Sequence, residues 1–251
     1  MSAFLEVSQE LHATQAGAIG LPILYYNSTA IFACFLVDAD RAAHHLPDAL
    51  EPVLLAPGRA LVTVAFFHYI DSSVGPYQEM GLAIGARPVS SYRKHAPFYP
   101  HLSLYPGMYV LDLPVTTEVA LHAGRDLWGY PKTVTPIDVQ LRAGQIDCAV
   151  LAADRAEALC ALRGRAGRAW PWSAPNLLTY TCKQGQLLRT TIRMRGTMHV
   201  AQAGDVRLEL GTATQDLGRH MHDLGLAGRR PFIVQYGQGL RARLPAGDHV
   251  Q

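Results

Sequence analysis

Residues 60–70, Ala-Leu-Val-Thr-Val-Ala-Phe-Phe-His-Tyr-Ile, form an unbroken run rich in β-branched and aromatic side chains, and Gly75-Pro76 follows as a turn signal. The run reads as a β-strand. Comparable stretches lie at 30–37, 108–113, 134–141, 146–152, 187–195 and 232–244, many separated by short Gly, Asp or Pro turns. Within the sixth of these seven stretches, Leu188, Thr190, Ile192 and Met194 alternate with Arg189, Thr191, Arg193 and Arg195, the period of a strand with one buried and one solvated face. Helices are few. Asp38 can cap a short one ending at His45, Thr116 or Thr117 can cap one running to Trp128, and a third falls near 216–224. So many strands with so few helices exclude regular βαβ alternation. The expectation is an α+β fold: one domain over 1–251, built on a curved antiparallel sheet or cone-shaped β-barrel with peripheral helices. No repeat, low-complexity tract or linker divides the chain.

With 251 residues and 49% apolar content, the chain can bury a sizeable core without staples. Cys34, Cys148, Cys160 and Cys182 form no CxxC pair and read as reduced small hydrophobes rather than a zinc knuckle or disulfide framework. The first residues carry Glu6 and Glu10 instead of a basic run followed by an apolar one, so the expected location is the cytoplasm. The longest apolar run, 30–37, falls well short of the roughly 20 residues a helix needs to span a bilayer, so no membrane role is expected. The Arg-rich runs 163–168 and 229–230 are balanced by Asp and Glu in a chain of net charge +2, so no nucleic-acid partner is expected. Neither His220-Met221-His222 nor His44-His45 directs two rings to one side, and no zincin spacing occurs, so no metal is expected.

The cations are unevenly divided, with nineteen Arg against three Lys: Lys94, Lys132 and Lys183. Arg stays protonated, whereas a Lys can lose its proton and attack a carbonyl, so chemistry can demand Lys where charge alone would accept Arg. Lys132 has the most distinctive setting. In Gly124-Arg125-Asp126-Leu127-Trp128-Gly129-Tyr130-Pro131-Lys132 a helix stops at a glycine and a proline fixes the chain just before the lysine. Trp128 and Tyr130 can supply apolar walls, and burial destabilises an ammonium ion relative to the free amine.

This segment resembles the active-lysine segment of acetoacetate decarboxylases, in which a Gly-Arg-Glu-Leu type helix end leads into Tyr-Pro-Lys. Gly75-Pro76-Tyr77-Gln78-Glu79 is similar to that family's turn with a functional glutamate, and 37–47 to its Asp-led helix ending in proline. After Asp205, Leu208-Glu209-Leu210 and Leu224 follow its C-terminal pattern more loosely, so the resemblance spans about 20–245. It implies that Lys132 forms a Schiff base with a small keto acid or oxo compound and that Glu79 moves protons beside it, with no cofactor. A homo-oligomer, tetrameric or larger, is implied as well. The iminium is an electron sink through which decarboxylation, aldol chemistry, dehydration or cyclisation can pass.

Three positions depart from the decarboxylase pattern: Thr133 stands where a second lysine is usual, Ser28 where an arginine is, and Val64 where a second pocket glutamate is. These departures favour the relatives that run aldol, dehydration or cyclisation chemistry on the same lysine as the alternative to decarboxylation. Catalysis is thus expected from Lys132 and Glu79, and substrate binding from Tyr25, Ser28, Val64, Arg125 and Tyr130. For Arg125 two readings stand: a carboxylate anchor, or a residue that satisfies helix-end carbonyls and neutralises Asp126.

Overall fold

The computed structural model describes residues 3–89, 107–212 and 215–250. A hairpin of β1 (Glu10–Thr14) and β2 (Gly17–Leu21) leads into the long β3 (Ile23–Asp38), followed directly by helix α1 (Ala39–His44). Short β4 (Leu50–Pro52) and β5 (Leu54–Ala56) precede β6 (Arg59–Ser72) and β7 (Tyr77–Pro88). Then come β8 (Gly107–Asp112), helix α2 (Glu118–Trp128), β9 (Ile137–Arg142), β10 (Gln145–Leu151) and β11 (Ala158–Arg165). The remainder is β12 (Ala169–Ser173), β13 (Leu177–Lys183), β14 (Gln186–Arg195), β15 (Thr197–Gln202), β16 (Arg207–Leu210), helix α3 (Asp216–Asp223), β17 (Ile233–Leu244) and β18 (Asp248–His249).

Strands pair in the order β17-β3-β6-β7-β8-β13-β14, and β14 pairs again with β17 through Arg193↔Arg243 to Arg195↔Arg241. This closes seven strands into a ring, a barrel without free edges along that path. The expected curved, barrel-like sheet is present. Within the ring β8–β13 is a parallel pair and the other pairs are antiparallel.

The strands β3, β6 and β7 are buried on both faces. Along β6, Val62, Val64 and Phe66 point outward into a core shared with Ile31, Leu82 and Ile84 and with Ile146, Cys148 and Leu162 of a separate sheet, β16-β11-β10-β9. The alternate residues Leu61, Thr63, Ala65, Phe67 and Tyr69 face the barrel lumen. Two buried faces explain why 60–70 reads as continuously apolar rather than alternating. On β14 the alternation is kept: Thr190 and Met194 are buried while Arg189, Arg193 and Arg195 are exposed.

Helix boundaries follow the caps. Asp38 accepts from the backbone N–H groups of Asp40 and Arg41, and Thr117, not Thr116, caps α2 by accepting from Ala120 N. The expected strand at 134–141 begins only at Ile137, after Pro136, and Val134 makes a lone parallel bridge with Val115. Most important for function, β7 was not expected: Tyr77-Gln-Glu-Met-Gly-Leu-Ala-Ile-Gly-Ala-Arg-Pro88 holds two glycines and a single β-branched residue, and tertiary pairing overrides its weak propensity. Among the described residues no helix is long and apolar enough to cross a membrane.

At the outer end of β8, Asp112 is 9% exposed and its Oδ2 lies 2.8 Å from Nδ1 of His220 on α3. Burial pushes its carboxyl up to about 6, against the lowering effect of the His220 contact. A carboxyl raised above its ordinary value of 3.8 holds its proton more tightly folded than unfolded, so this group's contribution to stability falls as pH rises from about 4 to about 6. The melting temperature of Asp112→Asn is therefore expected to change less in the destabilising direction between pH 4 and pH 6.5 than that of the wild type, measured by calorimetry.

Candidate active site

Lys132 is held by a chain reversal at the end of α2. Gly129 adopts φ 66°, and the last turn is closed by Gly129 N–H donating to Arg125 O and Tyr130 N–H to Gly124 O. A side chain at 129 would run into the Cys182 carbonyl, so both conformation and space require glycine. The chain then runs beside 113–115, with Leu113 N–H donating to Pro131 O and Val115 N–H to Thr133 O. Arg125 Nε donates to the Lys132 carbonyl at 2.8 Å. The side chain of Lys132 packs across Gly124, where a Cβ would overlap its Cδ and Cε.

Only 5% exposed, Lys132 brings its Nζ to 2.6 Å from Glu79 Oε2, and Glu79 is itself 6% exposed. Tyr69 donates to the other carboxylate oxygen at 3.1 Å. The Nζ also lies 5.6 Å and 6.0 Å from the ring centroids of Tyr77 and Tyr130. Tyr25 joins this cluster, its hydroxyl 2.9 Å from that of Tyr77, and the Tyr130 hydroxyl lies 2.8 Å from Thr179 Oγ1. Burial, reinforced by the Glu79 charge, pushes the phenols of Tyr25 and Tyr69 well above their ordinary range; burial does the same for Tyr77 and Tyr130. These four rings stay protonated and act as hydrogen-bonding walls rather than bases.

The pair sits in the lumen, in a cavity of about 130 Å³ to which each of the seven ring strands contributes. Among the expected residues, Lys132, Glu79, Tyr25, Ser28 and Tyr130 are brought together around it. Ser28 is buried and donates to the Leu240 carbonyl at 3.1 Å. Glu79 lies not in the turn after Ser72 but on β7, opposite Phe67, and this strand position turns it inward. Val64 is not in the site. Fully buried in the outer core, it points away from the lumen, because the pleat sends neighbouring residues to opposite faces and Thr63 and Ala65 take the inner positions. Arg125 is exposed and its Nε is committed to the Lys132 carbonyl, so it positions the lysine instead of lining the cavity. Thr133 is exposed.

Lys183 donates to Asp126 O at 2.5 Å, a capping role at the C-terminal end of α2, and Lys94 lies outside the described residues. Among the described residues no group of three or more His, Cys, Asp or Glu is placed to hold a metal ion. Tyr69, Tyr77 and Gly124 contribute without having been singled out from sequence, Tyr77 because its position beside the lysine depends on the pairing of β7. Tyr69 sits within the strand run, and pairing β6 with the Glu79 segment was needed to see it. Gly124, an interior helix glycine, carried a signal in being an unfavourable choice for a helix without a packing reason.

Gly124→Ala isolates the placement of the lysine. Alanine favours the helix over glycine by about 1 kcal/mol, so α2 is retained, while the new methyl displaces the lysine stem from Glu79. Covalent capture of a ketone at Lys132 is expected to slow by about a hundredfold, the scale that an ångström-sized misplacement costs, with unchanged far-ultraviolet circular dichroism.

Comparison with known proteins bears on the whole arrangement. The sequence profile described as Acetoacetate decarboxylase (ADC) matches residues 9–168. No curated protein matches the chain. Among solved structures, an acetoacetate decarboxylase from Legionella pneumophila is similar at TM-score 0.64 and 18% identity, covering 98% of this chain and 92% of that one. The enduracididine biosynthesis enzyme MppR is similar at 0.65 and 15%, covering 93% and 89%. An acetoacetate decarboxylase-like enzyme from Sphingomonas wittichii RW1 is similar at 0.65 and 17%, covering 93% and 94%. The likeness to these structures is one of fold, and with the profile match over more than half its length the chain belongs to the acetoacetate decarboxylase family.

Proposed function

We propose that the protein is a Schiff-base lyase acting on a β-keto acid or related oxo compound, with Lys132 as nucleophile and Glu79 as proton carrier. The single observation that supports this most is the 2.6 Å contact between the Lys132 amine and the Glu79 carboxylate inside an apolar lumen. Transfer of one proton along that hydrogen bond gives a free amine beside a carboxylic acid. The amine attacks the substrate carbonyl, forming a C–N bond as the C–O π bond opens, and the oxygen takes the surplus proton of the nitrogen to give a carbinolamine. Glu79 then returns its proton to the carbinolamine hydroxyl, which leaves as water, and the nitrogen lone pair completes the iminium. In the leading reading the iminium accepts the electron pair of the bond to a β-carboxylate and carbon dioxide departs. The resulting enamine is protonated at carbon, and water releases the product ketone and the lysine.

A second reading, aldol addition or dehydration through the same enamine, is favoured by one feature. Among the described residues lining the cavity no arginine accompanies Lys132 to hold a substrate carboxylate, and Ser28 occupies the wall where the decarboxylase pattern has one.

Reductive trapping with acetoacetate and pyruvate, read by peptide mass spectrometry, tests the covalent step: an adduct on the Lys132 peptide is expected in the wild type and none in Lys132→Arg. Glu79→Gln is expected to lower turnover about 10²- to 10⁴-fold, the usual contribution of a positioned acid–base group. An adduct on a different lysine, or full turnover by Lys132→Arg, contradicts the reading. Carbon dioxide release from a single substrate supports decarboxylation, whereas a requirement for an aldehyde supports the second fate.

A further inference from the structure

From Glu79 the lumen continues along the strands as a groove floored by small side chains. Successive inward residues of β7 are Glu79, Gly81 and Ala83, and their partners on β6 are Phe67, Ala65 and Thr63. On β3, Phe32 pairs with Ala65 and Cys34 with Thr63. The first level beyond Glu79 therefore carries Phe32, Ala65 and Gly81, and the second Cys34, Thr63 and Ala83, so the β6 and β7 positions are small while Phe32 adds an apolar ring at the first level. At about 3.4 Å per residue, the four steps from Glu79 to Ala83 extend this floor by about 14 Å. Met108, Val110, Leu177 and Ile192 face it from β8, β13 and β14.

The groove's charge is as telling as its shape. Lys132 and Glu79 are paired with each other, and among the described residues no other Lys or Glu and no Arg, Asp or His lines the cavity. The Cys34 thiol is pushed up to about 11 by burial and stays neutral at physiological pH. A charged group on the distal part of a substrate would thus lose its hydration without gaining a counter-ion. Uncharged methylenes or an aromatic ring would instead displace water from apolar walls. Acetone or pyruvate would leave the Thr63–Ala83 end of the groove empty.

We infer that the natural substrate is an oxo compound carrying an uncharged apolar arm, alkyl or aryl, that lies along Ala65, Gly81, Thr63 and Ala83 while its carbonyl meets Lys132. This rests on the Schiff-base reading. In the trapping step the lysine amine and the ketone lose water to give an iminium, and cyanoborohydride delivers hydride to its carbon, fixing a secondary amine.

The experiment measures the half-saturating ketone concentration for trapping at Lys132 with acetone, 2-butanone, 2-hexanone and 2-octanone, and with 5-oxohexanoate as an arm ending in charge. Each added methylene is expected to lower that concentration about three- to fourfold until the groove is full, as burial of a methylene predicts. The charged arm is expected to bind no better than acetone. In Ala83→Leu, which fills the floor, the ratio between 2-octanone and acetone is expected to collapse; the wild-type series stands whether or not that variant folds. Equal half-saturation across the neutral series, or equal capture of 5-oxohexanoate and 2-hexanone, overturns the apolar-arm assignment while leaving Lys132 chemistry intact. Absence of any adduct on Lys132 overturns the Schiff-base reading and this inference with it.

Discussion

Burial of β3, β6 and β7 on both faces is the constraint on which the rest of the molecule depends. One face of these strands packs against the sheet of β9, β10, β11 and β16, and the other forms the barrel lumen. Because successive side chains on a strand alternate, the same residues that fix the outer core also fix which of their neighbours reach the cavity. Phe66 cannot turn outward unless Phe67 turns inward, and Phe67 is the partner of Glu79. The position of the carboxylate is thus a consequence of core packing far larger than the site itself.

Against that fixed carboxylate the lysine arrives from outside the strand system. It stands three residues beyond the glycine that ends α2, on a segment stitched to 113–115 by backbone hydrogen bonds and to Arg125 by its own carbonyl. Two independently built pieces of backbone therefore converge, and the side chains need little freedom to meet. A buried pair of opposite charges roughly offsets its own desolvation when the geometry is good, whereas one member left alone in the same place is strongly unfavourable. The pair is accordingly a poor device for stability and a suitable one for exchanging a proton, since amine plus acid and ammonium plus carboxylate carry the same net charge. Tyr69, donating to the second oxygen of Glu79, holds the carboxylate without competing for the proton.

Arg125 shows how one residue can satisfy a resemblance while its work changes. Seven residues before Lys132 in sequence, it could bind substrate or serve the backbone, and the chain reversal after Gly129 decides between the two by bringing the Lys132 carbonyl within 2.8 Å of its Nε. Val64 fails for a different reason. An alignment that slips by one residue across a strand exchanges lumen for outer core, and no local feature of Leu61-Val-Thr-Val-Ala65 announces which residues face which way when both faces are apolar.

The sequence by itself determined the strand-rich class, the three helices with the Asp38 cap of the first and a threonine cap, Thr116 or Thr117, for the second, the glycine stop before Lys132, and through its motifs the family. These features are legible because each depends on neighbours within a few residues: propensity, capping, or a backbone conformation only glycine adopts. Tertiary structure alone decided that Tyr77–Pro88 is a strand, that the ring closes through β14 and β17, that Val64 faces outward, and that Tyr69 completes the Glu79 site. Each of those outcomes depends on which distant segment supplies the hydrogen bonds or covers an apolar face, and the barrel supplies those partners only when all seven strands are assembled.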